Sequence, residues 1–274
     1  MQNKPNISFI GGGNMATALI GGLAGKVTDG ANIHVVDLNP EALQKLAQQF
    51  GVSTAPEIDS AISRSEVIVL AVKPQQMKEV VAKLLPHITT QLVLSIAAGI
   101  RAVDLARWLN GHDAIVRCMP NTPALIGQGI TGMVATAGVS PQQRATADLI
   151  LRAVGGTVWL DDEALIDAVT AVSGSGPAYV FYFIEAMQQA AQELGLSPQQ
   201  GIELAVATFT GASQLAAQSA EPVSVLRERV TSKGGTTYAA LTSMEDSGVK
   251  SAIVTAIKAA AARGKELGDE FGRD

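Results

Sequence analysis

At 274 residues and 47% hydrophobic content, the chain is long enough to bury the cores of two ordinary domains. Its net charge of −5, with 20 Lys and Arg dispersed among 25 Asp and Glu, excludes a basic nucleic-acid face or a polybasic membrane anchor as its main mode of action. The single cysteine, Cys118, rules out an internal disulfide, and the polar start Met1-Gln2-Asn3-Lys4-Pro5 carries no targeting segment, so the expected setting is the reducing cytoplasm. The longest apolar run, Ala178 to Ile184, is stopped by Glu185 far short of the roughly 20 residues of a membrane span.

In chain order, the first predicted strand is Asn6-Ile7-Ser8-Phe9-Ile10. It runs into Gly11-Gly12-Gly13-Asn14-Met15-Ala16, a G-x-G-x-x-A turn, and then into a helix ending near Leu23. Strand, glycine turn and helix in that order form the phosphate grip of a dinucleotide-binding domain. Gly11 makes the turn, Gly13 admits backbone N–H groups to the pyrophosphate, and Ala16 keeps the helix, whose start includes Asn14 and Met15, close to the sheet.

A second strand, Ile33 to Asp37, leads through Asn39-Pro40 into a helix to Phe50. Further strands are predicted at Val67–Val72, Leu92–Ile96 and Ile115–Cys118, with helices at Pro74–Leu85 and Ala102–Leu109 between them. Nearly continuous apolar, β-branched strands alternating with helices imply an α/β fold, a doubly wound parallel Rossmann sheet covered on both faces. Strands at Thr131–Thr136 and Thr157–Leu160 extend its edge around a helix at Pro141–Val154.

From Asp161 the strand pattern stops. Helix punctuation follows: Asp161-Asp162-Glu163, Ser175-Gly176-Pro177, Gly195, Ser197-Pro198, then a break at Ser232 to Thr237, a helix to Ser247-Gly248 and an Ala-rich helix to about Leu267. The predicted organisation is a dinucleotide-binding domain over 1–160 and an all-helical domain over 161–274. So apolar a helical half requires partner surface, which predicts a homodimer through it.

A doubly wound sheet binds its ligand at the carboxyl ends of its strands. Four loops there carry candidates: the glycine turn, Val72-Lys73-Pro74, Ala97-Ala98-Gly99 and Met119-Pro120-Asn121-Thr122-Pro123. Lys73 can donate to a ribose hydroxyl or phosphate, small residues at 97–99 admit a flat nicotinamide ring, and Asn121 can orient its amide; ordinary turn chemistry accounts for Lys73 and Asn121 equally well. Asp37, about 20 residues past the turn, suits the ribose 2′-hydroxyl of NAD and repels a 2′-phosphate. It also suits a local role beside the Asn39 helix cap. The choice between NADPH and NADH stays open at this stage.

No Lys or Arg occurs between Arg152 and Arg227, and no His after His112. Reduction of a ketone needs a proton donor at oxygen, most often His or Lys. A protonated imine is already electrophilic at carbon and needs only positioning. Helix starts at Ser173–Pro177 and Gly234–Thr237 can hold a substrate carboxylate by backbone N–H groups. Nothing in this reading calls for a metal.

Together these motifs resemble pyrroline-5-carboxylate reductases over nearly the whole chain, with Ser173-Gly174-Ser175-Gly176-Pro177-Ala178-Tyr179 and Ser232 to Thr237 the most specific. The resemblance implies reduction of a cyclic imine, L-Δ1-pyrroline-5-carboxylate, to L-proline by NADPH or NADH, and dimers that assemble into larger rings. It puts the cofactor on the glycine turn, Lys73 and Ala97. It puts the substrate on Ser232, Gly234, Gly235, Thr236 and Thr237, with Thr237 bonding the ring nitrogen and Glu163 at a further substrate-side position. Two residues depart from the family pattern: Lys233 in place of a proline, and Arg229 where some relatives carry Asn. Related hydroxyacid dehydrogenases share the cofactor half but need a catalytic Lys that residues 153–226 lack; a non-catalytic nucleotide sensor is the other open reading.

Overall fold

Strand β1 (Ile7–Ile10) is buried at every residue because it lies in the interior of a sheet covered on both sides. In the computed structural model, which describes residues 4–273, it is flanked by β2 (Ile33–Val36) and β4 (Val67–Leu70), both parallel to it. Met1, Gln2 and Asn3, read above as part of a polar start, lie outside the described residues. With β3 (Ser53–Ala55), β5 (Leu92–Ser95), β6 (Ile115–Met119), β7 (Gly129–Ala135) and β8 (Gly155–Trp159), the sheet has the order β3-β2-β1-β4-β5-β6-β7-β8.

The connecting helices are α1 (Asn14–Leu23), α2 (Pro40–Phe50), α3 (Met77–Leu84), α4 (Ala102–Trp108) and α5 (Pro141–Arg152). Two of these helices are bounded by local side-chain chemistry. Asn39 caps α2 by accepting from the Glu41 and Ala42 N–H groups, with Pro40 at the first position and Gly51 left-handed at the end. Ser140 and Gln143 form a reciprocal capping box on α5.

The sheet is doubly wound as expected, with one difference. Strand β7 runs antiparallel to β6, because the link from Met119 to Gly129 is shorter than the roughly dozen residues a parallel crossover requires. Strand β8 returns parallel to β7 after α5. Two apolar layers result. Phe9, Leu19, Ile20, Leu23, Leu94 and Ile150 fill one face; Ile68, Leu70, Met77, Val81, Val93 and Leu105 fill the other. Each such side chain contributes about 1.5–3 kcal/mol by leaving water. Cys118 belongs to the first layer; its thiol is 1% exposed and burial raises its pKa far above the ordinary value, as befits a packing residue.

Beyond β8 the chain is helical: α6 (Leu165–Val169), a π-helical stretch (Thr170–Gly174), α7 (Gly176–Glu193), α8 (Pro198–Gln218), α9 (Val223–Arg229), α10 (Thr236–Asp246) and α11 (Val249–Phe271). Two compact units emerge. One is the chain through Ser175 together with the segment from Ala260 onward, and the other is Gly176–Ala259. The change of architecture thus falls at the end of β8, near the expected 160/161 boundary, while the division into compact units falls later. Glu163 and Ser173 bond back to Arg117 and Asn121, which keeps 161–175 with the sheet, and the last turns of α11 join the same unit: Arg101 pairs with Asp269 at 2.6 Å and Arg107 donates to the Gly272 carbonyl at 2.8 Å. In the second unit, α7 and α8 pack together, with Phe183 and Phe209 ring centroids 6.4 Å apart. Among the described residues no helix is long and apolar enough to cross a membrane.

Candidate active site

The strand order reverses direction between β1 and β4, and the carboxyl ends of the strands there open into a cleft. The cleft encloses about 510 Å³ and is lined by Gly11, Asp37, Leu38, Pro56, Ile58 and Val72 among others. Of the glycine turn, Gly11 lines it. Gly11 is left-handed at φ 106° and is wedged between strands, its N–H donating to the Val36 carbonyl at 2.8 Å. Gly13 caps α1 with ordinary dihedrals, no side chain bonds the helix start, and an added Cβ at Gly13 would meet nothing within 4 Å. The first-turn N–H groups of α1, from Asn14 and Met15 onward, therefore face an open cradle that fits a pyrophosphate.

Asp37 follows β2 and lines the same cleft. Its Oδ2 accepts from the Gly12 N–H at 2.6 Å and its Oδ1 from the Asn39 N–H at 2.8 Å, so the carboxylate is fixed against the turn. The carboxylate supports the turn before Asn39 and also lines the cleft. Lys73 is exposed just beyond β4, and Ala97 is 6% exposed just beyond β5. Gly99 then turns the chain at φ 75° so that Leu267 and Phe271 of α11 pack on it.

Asn121 has a different setting. Its Oδ1 accepts from the Ile130 N–H at 2.9 Å, and its Nδ2 donates to the Ser173 carbonyl at 3.2 Å. The side chain braces the loop after β6 against the π-helical stretch. Within the expected helix start at Ser173–Pro177, α7 begins at Gly176, and the Ser175 N–H is already bonded to the Thr170 carbonyl at 2.8 Å. An added Cβ at Gly174 would come 2.5 Å from Met119 Cε, the far end of a flexible side chain that can move aside. A single widened turn leaves no mark on hydrophobic periodicity; the cluster of small residues at 171–176 was its only signal.

Glu163 is also structurally engaged. Its Oε1 accepts from the Ala102 N–H at 2.7 Å and from Arg117 Nη1 at 2.9 Å. Arg117 is 4% exposed in the middle of β6, so Glu163 neutralises a buried guanidinium and caps α4, which has no side-chain cap of its own. Sequence reasoning missed Arg117 because a charged residue inside an apolar strand has no local partner to announce it.

In the second unit, the Ser232–Thr237 segment turns into a helix. Gly234 is left-handed at φ 75°, the Gly235 N–H closes a turn on the Ser232 carbonyl at 2.9 Å, and α10 starts at Thr236 with no side-chain cap. Lys233 is exposed beside it. Arg229 forms a two-pronged pair with Glu221 at 2.6 and 2.5 Å.

His34 is the buried histidine. It faces Ser53 at 2.9 Å and Asp59 at 3.4 Å at the opposite end of the sheet from the cleft, and burial lowers its pKa. Among the described residues no group of three or more His, Cys, Asp or Glu is arranged to hold a metal.

A Rossmann sheet with a phosphate-binding turn at its switch point, followed by a helical domain, defines a dinucleotide-dependent oxidoreductase. The sequence pattern described as pyrroline-5-carboxylate reductase dimerisation matches residues 163–267, and that of NADP oxidoreductase, coenzyme F420-dependent, matches residues 6–99. The pyrroline-5-carboxylate reductase of Pseudomonas aeruginosa is 46% identical over 273 residues, covering 99% of this chain and 100% of that protein. Among solved structures, the Coxiella burnetii pyrroline-5-carboxylate reductase aligns with a TM-score of 0.91 at 38% identity, over 97% of this chain and 99% of that one. The Plasmodium falciparum enzyme with NADP bound aligns with a TM-score of 0.87 at 28% identity, over 98% and 99%. The chain belongs to the pyrroline-5-carboxylate reductase family.

Proposed function

We propose that the chain reduces L-Δ1-pyrroline-5-carboxylate to L-proline, the last step of proline biosynthesis, with NADPH or NADH as reductant. The observation that carries this reading is the start of α10. There Gly235, Thr236 and Thr237 present an uncapped helix N-terminus with little side-chain bulk, in a helical region whose residues 153–226 contain no Lys, Arg or His. Such a start suits a substrate carboxylate held by backbone N–H groups. The full-length identity to the P. aeruginosa reductase supports the same substrate.

When bound, the reduced dinucleotide supplies the hydride. The chain's residues do the positioning: Gly11, Gly13, Asn14 and Met15 hold the pyrophosphate, Asp37 and Lys73 the ribose and phosphate side, and Ala97 gives room to the nicotinamide. Ser232, Gly234, Gly235 and Thr236 bind the imine's carboxylate, and the Thr237 hydroxyl bonds its ring nitrogen. Hydride addition at carbon with the nitrogen keeping its proton yields the neutral amine, so no side-chain acid is required. Asn121 and Glu163 act by bracing the loops around this machinery.

The working form in this reading is a cytoplasmic homodimer through the helical region, with dimers assembling into a larger ring. Exposed apolar side chains of the second unit, Phe181 at 60% and Tyr182 at 72% among them, support a covered face. Thr237→Ala raises KM for the imine about fivefold, the loss of roughly one polar contact of ~1 kcal/mol, and Thr237→Ser restores it. Steady-state kinetics of the two variants unchanged from the parent would remove Thr237 from the site.

A further inference from the structure

We propose that Asp37 makes this chain an NADH-preferring enzyme. The inference rests on the cofactor half of the reading above and needs no imine. The Asp37 carboxylate cannot swing away from the cleft, because both oxygens are held by backbone N–H groups, from Gly12 at 2.6 Å and Asn39 at 2.8 Å. Each oxygen keeps a second lone-pair direction. A ribose cis-diol can donate into them, whereas a 2′-phosphate brings only acceptors and about two further negative charges.

The rest of the cleft offers that phosphate little. Its lining carries the carboxylates of Asp37, Glu57 and Glu79 against the cation of Lys83, and Lys73, placed above on the ribose and phosphate side, is not part of that lining. Lys83 already pairs with Glu79 at 2.7 Å. The segment after Asp37, Leu38-Asn39-Pro40-Glu41, contains no cation. Helix α2 begins there and its N-terminus is a potential anion site, but the Asn39 side chain occupies its Glu41 and Ala42 N–H groups at 3.0 and 3.2 Å, and Glu41 adds a negative charge to its first turn. Leu38, 80% exposed on the cleft wall, is an apolar shelf where a phosphate site needs a donor.

Calorimetric titration of the full-length protein with NADH and with NADPH, at one ionic strength, tests this directly. The expected result is a Kd for NADH at least about tenfold lower, the scale of one unfavourable charge contact. A smaller ratio, or tighter NADPH, overturns the inference. Asp37→Asn, which removes the charge and keeps one of the two acceptors that hold Gly12 and Asn39, should bring the ratio close to one; an unchanged ratio takes Asp37 out of the discrimination. Leu38→Arg alters only an exposed side chain and should tighten NADPH selectively, so the test survives a poorly folding Asp37 variant. Tighter NADPH together with proline formation would defeat this inference alone. Binding of neither dinucleotide would defeat the reductase reading as well.

Discussion

Gly11→Ala is expected to destabilise the first compact unit by roughly 3 kcal/mol and to raise the Kd for either dinucleotide by more than about tenfold. An added Cβ at Gly11 would sit 2.6 Å from the Ala71 carbonyl oxygen and 2.8 Å from its carbon. Those atoms belong to backbone pinned by the Ala71 N–H to Ile10 carbonyl bond at 2.8 Å, so relief requires the ends of β1 and β4 to separate. Overpacking of this kind costs about 1–3 kcal/mol, and a left-handed φ of 106° adds about 1–2 kcal/mol for a residue with a Cβ. Gly13→Ala is the informative contrast. Its Cβ meets nothing in the protein within 4 Å and its φ is −70°. Stability should stay within about 0.5 kcal/mol while dinucleotide affinity falls, because only the ligand approaches that side. Urea denaturation and cofactor titration of the pair separate the two roles; equal stability for Gly11→Ala would contradict the packing argument.

Glu163→Leu should cost about 3–5 kcal/mol. The change strips the one carboxylate from a guanidinium that is 4% exposed, and breaking one side of a buried pair leaves an uncompensated charge. Arg117 Nε already lacks a hydrogen-bond partner among the described residues, so no second acceptor stands ready. The Ala102 N–H at the start of α4 loses its acceptor too, a capping loss of about 1 kcal/mol within that total. Glu163→Gln keeps an acceptor for both donors and should cost only about 1–2 kcal/mol. Its KM for the imine should change less than about threefold, since the carboxylate serves Arg117 and Ala102. A large KM effect with unaltered denaturation would instead return Glu163 to the substrate.

The contrast between these residues shows what a linear sequence makes legible. Gly11 to Ala16 could be read because strand, turn and helix are contiguous, and their chemistry is local. The strand and helix alternation of residues 6–160 was equally plain, since buried parallel strands are apolar runs bounded by caps such as Asn39-Pro40. Strand β3, three residues at Ser53–Ala55, is too short for any period to register. The reversal at β7 follows from the length of the loop between Met119 and Gly129 against the reach of a crossover, and no strand's own pattern carries it. Helix α9, seven residues at Val223–Arg229, was absorbed into a longer helical pattern. Partnerships across the chain were out of reach: Arg117 with Glu163, Asn121 with Ser173, and Arg101 with Asp269 each join residues 46 to 168 positions apart. Nothing in the local pattern of either partner specifies the other.

The most direct test of the account is the loss of reduced-dinucleotide absorbance when the purified protein meets L-Δ1-pyrroline-5-carboxylate, with the product identified chemically. The account predicts consumption that depends on the imine, with one L-proline formed for each dinucleotide oxidised. Tight dinucleotide binding without imine-dependent consumption would contradict it and would point to a nucleotide-sensing protein on a reductase fold.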